Sequence, residues 1–341
     1  MKKPCSFLTL ALALILSLSL AVALPSGAIT EEAQTRYLDA LSGEEWPDEE
    51  WDEDASLTPR AVLASAVFSD ILPSANVQAL PIDLFAPGSD PIAENFTENG
   101  YRDDTIIVEM DRQRMYDSDV FVAYVKIATP SQLRTAVAGK KIGATSTNHT
   151  TQIAANYNGI VAINGDYFTK TKAGYIVRMG ETYREKTSKN MDLLLIDELG
   201  DFHLIQRGHE NQKEAVAAFL SEHTIINGFF FGPALVKDGV KLDMPDGYQF
   251  DPNQKNPRAG IAQLGTLTYA LVVVNGRTNS SAGVTMAEFA DVMAQLGAQQ
   301  AYNLDGGNSA TLAFHGQVYN DKPQAERSVT DIIYFASAIG E

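Results

Sequence analysis

Residues 285–314 read TMAEFADVMAQLGAQQAYNLDGGNSATLAF. Thr285 followed three residues later by Glu288 is the capping-box signature of a helix start, where each side chain satisfies a free backbone N–H of the first turn. Phe289, Val292, Met293 and Leu296 then share one helical face, and Gly297 closes the helix, because glycine takes the left-handed end position without strain. No second helix follows. Ala301-Tyr302-Asn303-Leu304 is a strand that runs straight into Asp305-Gly306-Gly307-Asn308-Ser309, and Ala310 to Phe314 is the next strand.

The same sparing use of helix extends outward. Thr105 to Glu109, Val120 to Ile127, Gly159 to Ile163, Leu193 to Ile196, Phe202 to Ile205, Leu267 to Val274 and Ile332 to Phe335 are apolar, β-rich runs bounded by turn residues. Ser131 to Ala138, capped by Ser131, and Glu214 to Leu220 read as short helices. Strands outnumber helices and often follow one another directly. The expected fold is therefore α+β, a single main domain with a mixed, largely antiparallel sheet and few helices, rather than a doubly wound one. No internal repeat is visible.

Composition narrows the function. Twenty-six Lys and Arg against 43 Asp and Glu give −17 over 341 residues, and a chain of that sign repels nucleic-acid phosphates. Residues 31–54 alone hold eleven acids and one base, Arg36, and with no apolar period they read as a solvated tether. Trp46 and Trp51 within it leave docking on the domain as an alternative.

Met1-Lys2-Lys3, an apolar run from Phe7 to Val22 and the small residues Ala21-Val22-Ala23 form a secretory-signal pattern, so the chain is expected to be exported. An uncleaved anchor is the alternative, since the run approaches the ~18 residues that begin to span a bilayer. Cleavage removes Lys2, Lys3 and the lone Cys5, which leaves a mature chain of −19 without disulfides, thiolate chemistry, Cys-ligated zinc or stable membrane insertion. The organisation expected is a leader (1–24), an acidic tether (25–58), an N-terminal extension with one short helix from Pro59 to Ile71 (59–99) and the main domain (100–341).

Three polar turns stand at strand ends: Asn164-Gly165-Asp166-Tyr167-Phe168, Asn227-Gly228 before an aromatic run and Gly232-Pro233, and the Asp305 to Ser309 loop. Paired glycines there free backbone N–H groups to approach a ligand, although a plain tight turn is the alternative. Together with Pro257-Arg258, Val273-Val274-Asn275-Gly276-Arg277 and Glu326-Arg327, these turns resemble, in order, the motifs of the phosphodiester glycosidase family. Its mammalian member removes N-acetylglucosamine from a phosphodiester on mannose. The resemblance runs from about residue 100 to 340. Asp166 and Asn308 stand where the family has glycine, and Asn275 where it has Asp. Asp and Asn tolerate left-handed backbone, so both turns are expected to form, while Asp166 adds an anion near the substrate.

The resemblance implies hydrolysis of a glycosyl 1-phosphodiester, expected to be part of a cell-surface glycan or polymer, between the anomeric carbon and oxygen. A departing phosphomonoester is a stable anion, so a cationic clamp matters more than protonation. Arg258 and Arg327 suit the clamp through their fixed bidentate geometry, with surface salt bridges as the alternative. Asp305 is the first choice for the carboxylate that activates water or attacks, and Glu288 the second, in competition with its capping role. Asn164, Gly165, Asp166, Asn227, Asn303, Gly306, Gly307 and Ser309 are expected to contact sugar or phosphate, each with a turn-holding alternative. A non-catalytic carbohydrate-binding or cell-surface protein of the same fold is the rival reading.

No cofactor is expected. His149, His203, His209, His223 and His315 lack metal-type spacing, and no serine-hydrolase elbow, phosphate loop or dinucleotide fingerprint occurs. Asp243, Asp246 and Asp251 leave an oxygen-ligand calcium site open, without EF-hand spacing.

Overall fold

The computed structural model describes residues 80–245, 247–322 and 324–339. The chain divides into Met1–Ala55 and Ser56–Glu341, and every described residue belongs to the second unit. The expected leader, tether and Pro59 to Ile71 helix lie outside the described residues. In chain order the strands are β1 (Phe96–Thr97), β2 (Gly100–Arg102), β3 (Ile106–Met115), β4 (Ser118–Ile127) and β5 (Leu133–Val137). Helix α1 (Thr150–Asn156) precedes β6 (Val161–Asn164), β7 (Gly174–Arg178), β8 (Glu181–Lys186), β9 (Leu193–Ile196) and β10 (Phe202–Ile205). Helix α2 (His209–Glu222) leads to β11 (Asn227–Phe229), β12 (Ala234–Lys237), β13 (Val240–Lys241), β14 (Arg258–Gly265) and β15 (Thr268–Val274). Helix α3 (Met286–Gln295) is followed by β16 (Gln300–Leu304), β17 (Leu312–Phe314), β18 (Gln317–Val318) and β19 (Asp331–Phe335).

The strands form a nine-stranded sheet, β1-β2-β3-β4-β15-β14-β16-β12-β13, and two of five, β10-β9-β11-β7-β8 and β18-β17-β6-β19-β5. All pairings are antiparallel, so the expected mixed character is absent from the described sheets. Local turn chemistry explains much of this. Tyr116-Asp117, Met179-Gly180, Asp238-Gly239 and His315-Gly316 each place two residues at positive φ between paired strands, the two-residue hairpin whose twist matches that of the strands.

The central strands are apolar on both faces because both are covered. Along β4, Phe121, Ala123, Val125 and Ile127 enter a core shared with the two smaller sheets, while Val120, Val122 and Tyr124 enter the core beneath α3. Gly260 of β14 lets α3 sit close: an added Cβ would come within 2.6 Å of the Met293 methyl carbon. Helix α2 covers the β7–β11 sheet through Val216 and Phe219, and α1 covers the third sheet through Ile153 and Ala154. From the N-terminal extension, Leu84 is buried with Val137, Met179 and Ile226.

The helix expected over Ser131 to Ala138 is not formed. Pro130–Gln132 make a single 3-10 turn closed by a Thr129/Gln132 capping box, and Leu133–Val137 then pair with β19 in the register Leu133↔Phe335. Sheet pairing outweighs the local cap. Helix α2 runs longer than the expected Glu214 to Leu220.

Candidate active site

Strand β16 pairs with β14, Leu304 opposite Ala259, and delivers Asp305 at its end. The loop that follows is held from two sides. Asn164 Nδ2 of β6 donates to the Asp305 carbonyl at 2.7 Å, and Gly307 N–H donates to the Pro257 carbonyl at 2.8 Å. Gly306 is required by that approach, since a Cβ would lie 2.7 Å from the Pro257 oxygen, and Gly307 has φ +58°. Neither Asp166 nor Asn308 takes positive φ, so the turns form without the left-handed tolerance expected of those residues.

Burial pushes the Asp305 carboxyl above the ordinary aspartate range; the Ser309 hydroxyl and Arg327 oppose that rise, and the Asp166 charge adds to it. Arg327 is exposed and has no hydrogen bond or carboxylate partner among the described residues. Beside the same loop lies a cleft of about 160 Å³ lined by Asn275, Arg277, Gly307, Asn308, Asn320 and Lys322, among others. Arg277, also exposed, donates to the neutral side chains of Asn256 (2.7 and 3.2 Å) and Asn308 (3.3 Å). Lys322 Nζ donates to the Asn308 and Ala310 carbonyls and to Thr311 Oγ1 at 2.7–3.0 Å, and burial, opposed by Glu326, pulls its pKa down to about 8.

Behind Asp305 stands a buried charge cluster. The Arg178 guanidinium, with no exposed side-chain surface, bonds Asp331 Oδ2 through Nε (2.9 Å) and Nη2 (2.8 Å), and Asp166 Oδ1 through Nη2 at 2.8 Å. Its Nη1 meets the Val177 carbonyl at 3.0 Å and the Gly228 carbonyl. Asp166 Oδ2 further accepts from Phe230 N–H at 2.7 Å, and Oδ1 from Phe168 N–H at 3.2 Å. The anion expected near the substrate is thus turned inward and paired. Gly165 packs on the cluster, for its Cβ would fall 2.3 Å from Asp331 Oδ2. Burial, partly offset by Arg178, and repulsion from Asp166 push the Asp331 pKa up to about 7.

Other expected site residues go elsewhere. Arg258 points its guanidinium at three backbone carbonyls, Val284 (3.2 Å), Asp251 (3.0 Å) and Gln254 (2.8 Å), which is a loop-holding role rather than a phosphate clamp. Burial lowers its pKa to about 10, with the Asp251 charge opposing that fall and the Arg277 charge adding to it. Glu288 keeps the capping box: its Oε2 accepts from Thr285 N–H at 2.8 Å, and Lys255 Nζ lies 3.4 Å from Oε1. Burial opposes its ionisation, but Thr285 and Lys255 together hold its pKa below the usual value. Asn227 accepts from Thr135 Oγ1 and Met179 N–H, and Asn303 donates to the Gly232 carbonyl at 2.7 Å. With Asn164, which also accepts from Thr311 N–H, they take the turn-holding alternative. Ser309 is buried against Asp305. Asp243 and Asp251 belong to no converging group of metal-type ligands among the described residues, and Asp246 lies outside them.

Sequence reading missed Arg178, Asp331, Arg277 and Lys322 as members of this region. Arg178 carried a signal: an arginine in the apolar run Tyr175-Ile176-Val177-Arg178-Met179 demands a buried partner.

A sequence model of the phosphodiester glycosidase family matches residues 157–336, which is more than half the chain. The chain belongs to the phosphodiester glycosidase family. The match spans all three polar turns and the three further motifs that carried the resemblance. Among curated proteins, the SPbeta prophage-derived uncharacterized protein YomE of Bacillus subtilis (strain 168) is 32% identical over 122 residues, 36% of this chain and 19% of its own length. The chain therefore spans about a fifth of that relative. Among solved structures, the catalytic domain of zebrafish N-acetylglucosamine-1-phosphodiester alpha-N-acetylglucosaminidase, auto-inhibited by its pro-peptide, aligns with TM-score 0.55 at 15% identity. The alignment covers 78% of this chain and 99% of that domain, a likeness of fold. A hypothetical protein from Synechocystis aligns with TM-score 0.47 at 20% identity, over 68% of this chain and 62% of its own.

Proposed function

We propose that this chain hydrolyses the sugar–phosphate C–O bond of a glycosyl 1-phosphodiester. The observation that carries the reading is one carboxyl, Asp305, on a loop near two exposed arginines, Arg277 and Arg327, neither of which forms a salt bridge among the described residues of an acidic protein, while the Arg327 charge acts on Asp305. Exposed arginines in such a chain would ordinarily pair with surface acids. Left unpaired beside a loop, they suit a bound phosphate, whose charge grows as the C–O bond breaks. Asp305 supplies the carboxylate that activates water or attacks the anomeric carbon. Water's oxygen ends on the sugar, its protons are shared between products, and the phosphomonoester departs as an anion. A pKa raised by burial strengthens Asp305 as a base at neutral pH. Asp166, held by Arg178, acts on Asp305 through its charge.

The test is incubation of the purified chain with a sugar 1-phosphodiester and assay of free sugar and phosphomonoester together. Release of both in equal amounts, with no comparable activity on aryl glycosides, supports the reading. Tight binding without release would replace it with the non-catalytic carbohydrate-binding one. The substrate is taken as glycan-borne and extracytoplasmic, on the strength of the Met1 to Ala23 leader pattern. N-terminal sequencing of protein recovered from the culture medium tests that export. No helix among the described residues is long and apolar enough to cross a membrane.

A further inference from the structure

Two histidines whose spacing in the chain gave no metal signal come together in space. We infer that Asp197, Glu198, His203 and His223 form a zinc site that pins the β9–β10 turn to the end of α2. Asp197 follows β9, His203 lies on β10, and His223 is the residue that ends α2. Ligand atoms of Asp197, His203 and His223 all lie within 4.8 Å of one another. Asp197 Oδ2 is 2.8 Å from His203 Nε2 and 3.3 Å from His223 Nδ1, and Glu198 Oε1 is 3.5 Å from the same Nδ1. Zinc bonds of ~2.0–2.1 Å in a tetrahedron put neighbouring donors about 3.3 Å apart, so the Asp197–His223 edge already fits, the Asp197–His203 edge must open, and Glu198, which lies outside the group of three, must close on it.

The carboxylates are aimed by their own second bonds. Asp197 Oδ1 accepts from Leu199 and Asp201 N–H, both at 2.9 Å, which leaves Oδ2 facing the imidazoles. Glu198 Oε2 accepts from Thr224 N–H at 2.7 Å, which leaves Oε1 facing them too. Such outer bonds orient metal ligands. Both imidazoles lie against Phe219, at 4.9 and 5.4 Å between ring centres.

His223 Nδ1 is the telling atom. It is buried and has no hydrogen-bond partner. Its neighbours at 3.3 and 3.5 Å are carboxylate oxygens, and Asp197 Oδ2 already has His203. An Nδ1 lone pair facing two carboxylates calls for a cation between them, a proton or a metal ion, and the negative end of the α2 dipole favours that charge as well. Two imidazole nitrogens with two carboxylate oxygens suit zinc rather than calcium or magnesium.

The experiment is calorimetric titration of the chelator-treated full chain with Zn²⁺ alone, beside His203→Gln and His223→Gln. The expected result is one Zn²⁺ per chain, a melting temperature raised by the metal and returned by chelator, and binding weakened more than ~100-fold in either variant, beyond the loss of an outer-shell partner. Both side chains are partly exposed, at 34% and 25%, so the variants are expected to fold, which circular dichroism checks. His223→Gln is the safer of the two, because its Nδ1 has no hydrogen bond to lose. Absence of stoichiometric binding to the parent chain, or equal binding by folded His223→Gln, overturns the site.

Discussion

Asp166→Asn separates a buried structural anion from a substrate-facing one through the pH dependence of stability. In the folded chain Arg178 faces two carboxylates, and Asp331 takes up the imbalance with a pKa raised to about 7 from an ordinary value of 3.8. A folded pKa above the unfolded one means the folded state binds more protons between those values. The stabilising protonation is complete below about pH 4 and is lost as pH rises toward 7, at up to ~1.4 kcal/mol per unit. Asn at position 166 removes the competing charge but not the burial, so the Asp331 pKa falls toward the ordinary range beside Arg178 and that slope weakens. Asn also loses the Phe230 N–H bond, because its amide nitrogen cannot accept, at a cost of ~1–3 kcal/mol. The variant is therefore less stable than the parent at pH 4.5, by an amount that shrinks, on the order of 1 kcal/mol per unit, as pH approaches 7. Urea unfolding of both chains across that range reads the difference directly, and titrations common to both cancel. A deficit that is constant or grows with pH would refute the shared-proton cluster. No deficit at any pH would return Asp166 to the solvent-facing role.

Arg258→Met is expected to destabilise by ~1–3 kcal/mol, because one buried carbonyl and two part-buried ones lose their donor, and urea unfolding measures it; a stable variant with weakened substrate binding would restore the phosphate clamp. Arg327→Gln should leave the melting temperature within a degree or two and raise KM, and should shift the acid limb of the kcat/KM profile to higher pH, because Arg327 favours ionised Asp305; an unchanged limb would contradict that coupling. Glu288→Gln still closes the capping box, so stability should change by less than ~0.5 kcal/mol and turnover not at all; loss of turnover in the folded variant would make Glu288 catalytic.

Much of the architecture was legible because it is local. The α3 capping box, the Gly297 end and the β4 and β15 apolar runs follow from neighbours in the chain, and the structure forms them. The β5 segment failed for the opposite reason: Ser131 gave a helix-cap signal, and only β19, almost two hundred residues later, makes Leu133–Val137 a strand. The site divides in the same way. The Asp305 loop was visible as paired glycines at a strand end. The loop-holding bonds of Arg258 left no trace, because the sequence cannot say that Asp251, Gln254 and Val284 turn their carbonyls toward it. Arg178 with Asp166 and Asp331, like Asp197 with His203 and His223, is assembled by sheet pairing, which leaves no periodic trace.

Hydrolysis in heavy-oxygen water, run with the parent chain and with Asp305→Asn, bears most directly on the claim that Asp305 drives cleavage between sugar and oxygen. The labelled oxygen should be found on the released sugar and not on the phosphomonoester. The Asn variant should remain folded, with turnover lower by about 10² to 10⁴, the usual worth of a positioned base. Label on the phosphate would mean that the P–O bond breaks instead, and a folded, fully active Asp305→Asn chain would remove Asp305 from the chemistry.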